Sequence, residues 1–136
     1  MESQLFPVAR QLALTTGLDW LNGDMRAVLL PDSYAPTFTE QALIDIPAAS
    51  RVATSELITP RTAVNGVAGC SVIELGTILS ETLCSKAVVY LDTGDESTST
   101  LILFIGDEGL VSSAFTPVGL TYYIYPNVAS GGLFKI

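Results

Sequence analysis

Two neighbouring segments of this chain are apolar at every position, and they constrain its fold more than any other feature. Residues 87–91 read AVVYL and residues 101–105 read LILFI, with the polar, turn-forming segment 92–99 between them. A strand that wets one face alternates apolar with polar residues, so these segments predict a hairpin buried on both faces. One face can pack on a second sheet. The other face needs the N-terminal helix or a neighbouring subunit as cover.

The composition favours contact with a partner. The chain has 136 residues, of which 49% are hydrophobic and 15% charged, whereas a soluble domain usually carries about 25% charged residues. This length predicts one β-rich domain that spans residues 1–136. Because a small domain has much surface for its volume, an apolar excess of this size is hard to bury within one copy.

The rest of the chain reads as short strands separated by turns. The first 58 residues predict a helix at 4–16 ended by Gly17 and a strand at 25–30 stopped by Pro31. They also predict a short helix at 41–46, after the capping-box pair Thr37 and Glu40, and an edge strand at 51–58. The second part predicts a hairpin of 62–64 with 67–75, the central strands 85–91 and 100–105, and strands at 120–125 and 133–136. We therefore predict a mainly β fold, an antiparallel sandwich or barrel with an N-terminal helix and one short helix.

A partner surface is predicted on the apolar hairpin and on the tyrosine-rich strand near the end of the chain. Tyrosine can make a contact that leaves its hydroxyl group in water, and it is enriched at protein interfaces. In the alternative interpretation, the N-terminal helix alone covers the hairpin and the tyrosines are ordinary strand residues. The candidate interface residues are Leu101, Leu103, Ile105, Tyr122, Ile124 and Tyr125.

The charge balance argues against two classes of partner. Six Lys and Arg stand against 14 Asp and Glu, which gives a formal net charge of −8, and the chain has no histidine. Such a chain repels a phosphate backbone and an anionic membrane, so we expect neither nucleic acid nor membrane as a partner. The first residues lack the pattern of a secretion signal, and no apolar run approaches the roughly 20 residues of a membrane helix. We expect a soluble or particle-bound protein.

One motif resembles a catalytic signature. Asp92-Thr93-Gly94 follows an apolar run, as in aspartic peptidases, where two such loops bring carboxylates together to share a proton. A homodimer could supply the second loop. However, Asp95 adds a negative charge beside such a dyad, and Ile105-Gly106-Asp107 follows too soon to leave room for a flap. A homodimeric aspartic peptidase is therefore a remote alternative.

No catalytic, cofactor-binding or metal-binding residue is predicted. The acidic loop residues Asp92, Asp95 and Glu96 lack the ligand spacing of an EF-hand, so a solvated hairpin tip is the favoured interpretation. Without histidine there is no Ser-His or Cys-His pair, and no phosphate-loop or dinucleotide pattern occurs. Cys70 and Cys84 are predicted to be buried, unreactive thiols, although a disulfide between them stays open. We predict that the chain is not an enzyme.

The order of several short motifs resembles a family of small virion structural proteins of tailed phages. The motifs are a helix, LDWL at 18–21, PDSYAP at 31–36, LIDI at 43–46 and AVVYLDTG at 87–94. The resemblance covers roughly the first three quarters of the chain and implies a capsid decoration or cement role, or a place in the tail or neck. It implies assembly in the host cytoplasm, self-association, by analogy as a trimer, and binding to the major capsid protein. It supplies no catalytic residues.

Overall fold

The apolar hairpin forms the centre of a five-stranded antiparallel sheet. The structure is a computed structural model that describes residues 4–65, 67–70, 72–106 and 114–124, together with the backbone of 134–135. Its elements are β1 (Gln4–Leu5), α1 (Pro7–Leu14), β2 (Met25–Pro31), two 3-10 turns (Leu43–Asp45 and Ala48–Ser50), β3 (Ala53–Thr54), β4 (Arg61–Val64), β5 (Val67–Cys70), β6 (Ile73–Leu79), β7 (Cys84–Leu91), β8 (Leu101–Ile105), β9 (Val118–Ile124) and β10 (Phe134–Lys135).

The strand order of the main sheet is β1-β8-β7-β2-β3, and every neighbouring pair is antiparallel. In the middle of the sheet, Val88 of β7 pairs with Val28 on one side and Phe104 on the other. The two edge strands, β1 and β3, have two residues each. Short edges offer little template for unwanted strand pairing.

Two smaller sheets cover one face of the main sheet. One has the order β10-β5-β4, and the other is a two-stranded ribbon of β6 and β9. Ala87, Val89 and Leu103 of the main sheet share a buried cluster with Ile73 of β6 and Ile124 of β9. Within the described residues the sheets remain open layers, so the prediction of a mainly β, antiparallel fold with an N-terminal helix is confirmed, and its barrel variant is not adopted.

The second face of the main sheet is covered by the segment 34–46 and by residues at the start of α1. Phe6, Leu43 and Ile46 are buried against a face that includes Val88 and Phe104. Tyr34, Phe38 and Val8 pack at the border of this cluster. The N-terminal helix therefore supplies only part of the cover. Because both faces of the hairpin are buried within one chain, neither is left for a neighbouring subunit.

The first helix is shorter than the predicted 4–16. Gln4 and Leu5 pair with Phe104 and Leu103 as strand β1, so the helix begins only at Pro7, a position where a missing N–H costs nothing. Gly17 ends the helical region as predicted. It adopts a φ of +95°, and its N–H donates to the Leu12 carbonyl at 2.8 Å.

The predicted short helix at 41–46 forms as a single 3-10 turn, Leu43–Asp45, which is shorter than the predicted range. Two backbone N–H groups of this turn donate to a distant segment of the chain instead of to carbonyls within a helix. The N–H groups of Leu43 and Ile44 donate to the carbonyls of Ser99 and Glu96, at 2.9 and 3.1 Å. The capping-box pair still acts locally, since the Glu40 carboxylate accepts the Thr37 N–H at 3.0 Å.

The remaining strand predictions differ mainly in their bounds. The predicted edge strand at 51–58 contains β3, and the N–H groups of Val52 and Ile58 also donate to carbonyls of β2. The predicted hairpin is β4 with β5, but Ile73 begins a separate strand, β6, that pairs with β9. Tyr125 and the ends of the predicted strand at 133–136 lie outside the described residues.

Replacing Ile46 by alanine tests the cover on the second face. Ile46 is fully buried there, so Ile46→Ala should lower the free energy of unfolding by about 2–5 kcal/mol. Ile44, in the same turn, is 57% exposed, so Ile44→Ala should change it by less than about 0.5 kcal/mol. Urea unfolding followed by the fluorescence of the single tryptophan measures both values. Equal effects of the two changes would contradict this packing.

Candidate interaction surface

Three exposed aliphatic side chains gather at one end of the β6–β9 ribbon. Leu79 pairs with Val118, and the preceding pair joins Ile78 to Leu120. Leu79 is 81% exposed, Val118 64% and Leu120 62%, while Ile78 is buried in the core. Paired side chains of an antiparallel ladder lie about 5 Å apart. Leu79 and Val118 are therefore neighbours, and Leu120 follows Val118 by two residues on β9; we call these three exposed residues the ribbon end.

The ribbon end is shaped by an irregular ladder. The register shifts between Ile78 and Leu79, opposite Gly119, which adopts a φ of +87°. Such a bulge turns side chains away from their regular direction, and glycine reaches this conformation without strain. The chain then continues along the same edge, because the Ser80 N–H donates to the Pro117 carbonyl at 3.2 Å.

One carboxylate lies close in sequence to the ribbon end. Residues 72–83 and 114–124 contain two carboxylates, Glu74 and Glu81, and no Lys or Arg. Both carboxylate side chains are exposed, and Glu81 lies two residues from Leu79. Glu74 lies five residues from Leu79 along β6, so Glu81 is the carboxylate beside the ribbon end.

Four of the six cationic side chains are held by contacts within the chain. Arg26 binds the Asp92 carboxylate, and Arg51 binds the Glu96 carboxylate. Arg61 donates to the backbone carbonyls of residues 21 and 23, and Lys86 donates to that of residue 32. Lys86 is held beside the turn at 80–83, since the Asp32 N–H donates to the Leu83 carbonyl at 2.8 Å.

The residues predicted for the interface mostly lie in the core. Leu101, Leu103 and Ile105 are at most 2% exposed, and Ile124 is also buried. Tyr122 is partly buried and stacks on Phe115, with ring centroids 4.9 Å apart. Tyr125 lies outside the described residues. Among the described residues, the exposed large apolar side chains lie outside the hairpin, and those of the ribbon end are among them.

The ribbon end left only a weak signal in the sequence. Ile78 and Leu79 are consecutive apolar residues at the end of a strand that otherwise alternates, which requires one of them to face outward. Val118 and Leu120 stand beside glycine, a residue that marks bulges. Neither pattern says that the three side chains meet, because that follows from the pairing of β6 with β9.

The acidic loop that resembled a peptidase signature is used internally. One Asp92 oxygen accepts the Gly94 N–H at 2.9 Å, and the other accepts the Arg26 guanidinium at 2.9 Å. The Ser97 hydroxyl and N–H both bind the Asp95 carboxylate, which lowers the pKa of that carboxyl. These contacts give the carboxylates of this loop a structural use as turn and ion-pair partners.

Metal ligands do not converge among the residues that the structure describes. No group of three or more Cys, Asp and Glu side chains there is placed to hold an ion. Asp45, a further carboxylate near the hairpin loop, accepts the N–H groups of Gln41 and Ala42, and these bonds lower its pKa. It acts as a cap for the 3-10 turn.

A partly buried tyrosine and glutamate hold the cover segment. The Tyr34 hydroxyl donates to the Glu40 carboxylate at 3.4 Å, and burial together with this carboxylate raises the pKa of Tyr34 to about 12. Tyr34 therefore stays protonated and remains a donor at neutral pH. The pair fixes the loop that packs over the hairpin.

Both cysteines are free thiols. Cys84 is buried in the core, and its Sγ lies 3.3 Å from the Thr82 carbonyl oxygen. Burial raises the pKa of both thiols, that of Cys70 to about 11 despite the nearby Arg61. The prediction of unreactive thiols is thereby supported, and the open disulfide is absent from this pair.

Comparisons with known proteins give no family for this chain. No protein-family model matches the sequence, and no curated protein matches it. In the part of the chain that the structure describes, no helix has both the length and the apolar character needed to cross a bilayer.

Thiol labelling tests the burial of the cysteines. With a pKa near 11 instead of about 9, Cys70 should be alkylated at pH 8 about 100-fold more slowly in the folded than in the urea-unfolded protein. Mass spectrometry of labelled Cys70→Ser and Cys84→Ser variants assigns each rate. Labelling equally fast in both states, or a disulfide seen without reductant, would refute this description.

Proposed function

We propose that this chain is a structural subunit of a tailed-phage virion, a capsid decoration or cement protein that acts by protein–protein packing. The observation that carries a packing role is the ribbon end, an exposed apolar surface on a chain of high apolar content. The phage assignment rests on the ordered motifs described above. In this role copies associate, by analogy as a trimer, and bind the major capsid protein.

The size of the ribbon end suits repeated binding on a lattice. Complete burial of one aliphatic side chain contributes roughly 1.5–3 kcal/mol, whereas association costs roughly 4–15 kcal/mol in lost freedom of motion. Three side chains alone therefore make a weak contact. If copies associate, several such contacts engage one particle together, and their effective affinity rises steeply.

The proposed mechanism is stabilisation by bound subunits. A protein that binds only the intact capsid shifts the equilibrium away from the expanded or broken state. The negative charge remaining on the outer surface would keep particles apart in solution. This mechanism requires burial of surface and no chemistry, and we propose no catalytic role for Asp92.

Particles made with and without this chain test the proposal. Particles that lack it should release their DNA at a lower temperature and at a lower chelator concentration than complete particles, because the bridging contacts are missing. Adding the purified protein back should restore both thresholds. Equal survival of the two kinds of particle, with the chain absent from purified virions by mass spectrometry, would refute a virion role.

Copy number separates this role from a place in the tail or neck. A decoration protein follows the capsid lattice and should be present on the order of hundreds per virion, whereas a neck ring needs about a dozen copies. Quantitative mass spectrometry against the major capsid protein measures the ratio.

A further inference from the structure

We propose that the cover segment, residues 34–46, is a strap that opens as a unit, with Arg51 as its latch, while the main sheet stays folded. In the open state the second face of the sheet, which includes Val88 and Phe104, becomes accessible to solvent. Such opening is a property of a single copy, and it does not depend on a virion role.

The cover segment joins the main sheet along one short seam. Its seam amides are the N–H groups of Leu43, Ile44 and Leu101, which donate to the carbonyls of residues 99, 96 and 41 at 2.9, 3.1 and 3.0 Å. Between them lies the isolated bridge of residues 42 and 100. By comparison, β2 and β7 pair from Met25 to Pro31. A short seam of this kind can break while the longer ladders of the sheet remain.

Phe38 stores backbone strain in the cover segment. Its φ is +62°, in the left-handed region that a bulky residue enters only at a cost in free energy. The centroid of its ring lies 5.5 Å from that of Phe6 and 5.8 Å from that of Phe104. These aromatic contacts hold the strained conformation only while the segment lies on the sheet. Opening therefore releases the strain.

Glu40 adds a second cost two residues later. One of its carboxylate oxygens accepts the Thr37 N–H at 3.0 Å and the Tyr34 hydroxyl at 3.4 Å. The other oxygen is buried and has no hydrogen-bond partner among the described residues. A buried acceptor without a partner raises the free energy of the closed state, because water binds that oxygen once the segment opens. Opening therefore relieves both costs together.

Apolar burial and one arginine favour the closed state. Leu43 is 8% exposed and Ile46 is fully buried, and removal of both side chains from water opposes opening. The Arg51 guanidinium donates to the carbonyls of these two residues at 2.9 and 2.7 Å, and it binds the Glu96 carboxylate at 3.0 Å. Arg51 therefore latches the cover segment to the hairpin loop, and opening requires its release from Glu96.

Hydrogen exchange of the purified chain at neutral pH, followed by NMR, tests the opening. The Leu101 N–H bonds across the seam, whereas the nearby Leu91 N–H donates to the Thr100 carbonyl inside the hairpin. We expect the seam amides to share one protection factor, at least about 100-fold below that of Leu91, because local opening exposes them without unfolding the sheet. Equal protection of Leu91 and the seam amides overturns the proposal.

Two arginine variants test the latch. Arg51→Met should lower the protection of the seam amides about tenfold and leave that of Leu91 unchanged, since the open state no longer has to release Glu96. Arg61→Met is the matched control, because Arg61 holds the carbonyls of residues 21 and 23 by the same kind of bond. It should leave the seam amides unchanged. No change in Arg51→Met, or an equal loss in Arg61→Met, contradicts the proposed latch.

A disulfide across the seam tests the opening without weakening the fold. The seam bonds join the neighbours of residues 42 and 100, so these two residues form a non-hydrogen-bonded pair. The Cα atoms of such a pair lie about 4.5 Å apart, within the range of about 4.4–6.8 Å that a disulfide spans. Oxidation of the Ala42→Cys, Thr100→Cys variant should raise the protection of the seam amides at least about tenfold, and reduction should reverse it. Ala42→Cys alone should show no such response. Unchanged exchange in the oxidised double variant overturns the proposal.

Discussion

Burial of the β7–β8 hairpin on both faces is the constraint on which the rest of this structure depends. Ala87, Val89 and Leu103 need cover on one face, and Val88 and Phe104 need it on the other. Leaving several such side chains in water would cost several kcal/mol, comparable with the net stability of a domain. The two smaller sheets and the segment 34–46 are the layers that meet this requirement.

The irregular parts of the fold are held to those layers by polar contacts. Trp20 donates its indole N–H to the Thr62 carbonyl at 3.1 Å, with the Arg61 guanidinium 5.9 Å from its ring, which joins the DWL turn to β4. Ser55 is buried, and its hydroxyl accepts the Ala27 N–H at 2.8 Å. Arg51 donates to the carbonyls of residues 43 and 46 and so fixes the cover segment. These contacts satisfy buried backbone groups that no ladder reaches.

Cover of the hairpin within one chain leaves the exposed apolar side chains of the described residues at other parts of the molecule. The composition predicted a partner surface, and the apolar strands were its obvious location. With those strands buried, the ribbon end is the exposed apolar surface on which our proposal of a packing role rests.

The sequence alone determined the fold class, the central hairpin and most strand positions, because alternation and turn residues act locally. It also determined the absence of histidine chemistry and the negative charge. Only the tertiary structure decided what covers the hairpin, since the turn at 43–45 is set by bonds to residues 96 and 99, far along the chain. It likewise decided that Leu79 meets Val118, a strand pairing that no local pattern specifies. The ribbon end is long-range in origin, because it forms by the pairing of β6 with β9, whereas the predicted interface residues were chosen from patterns along single strands.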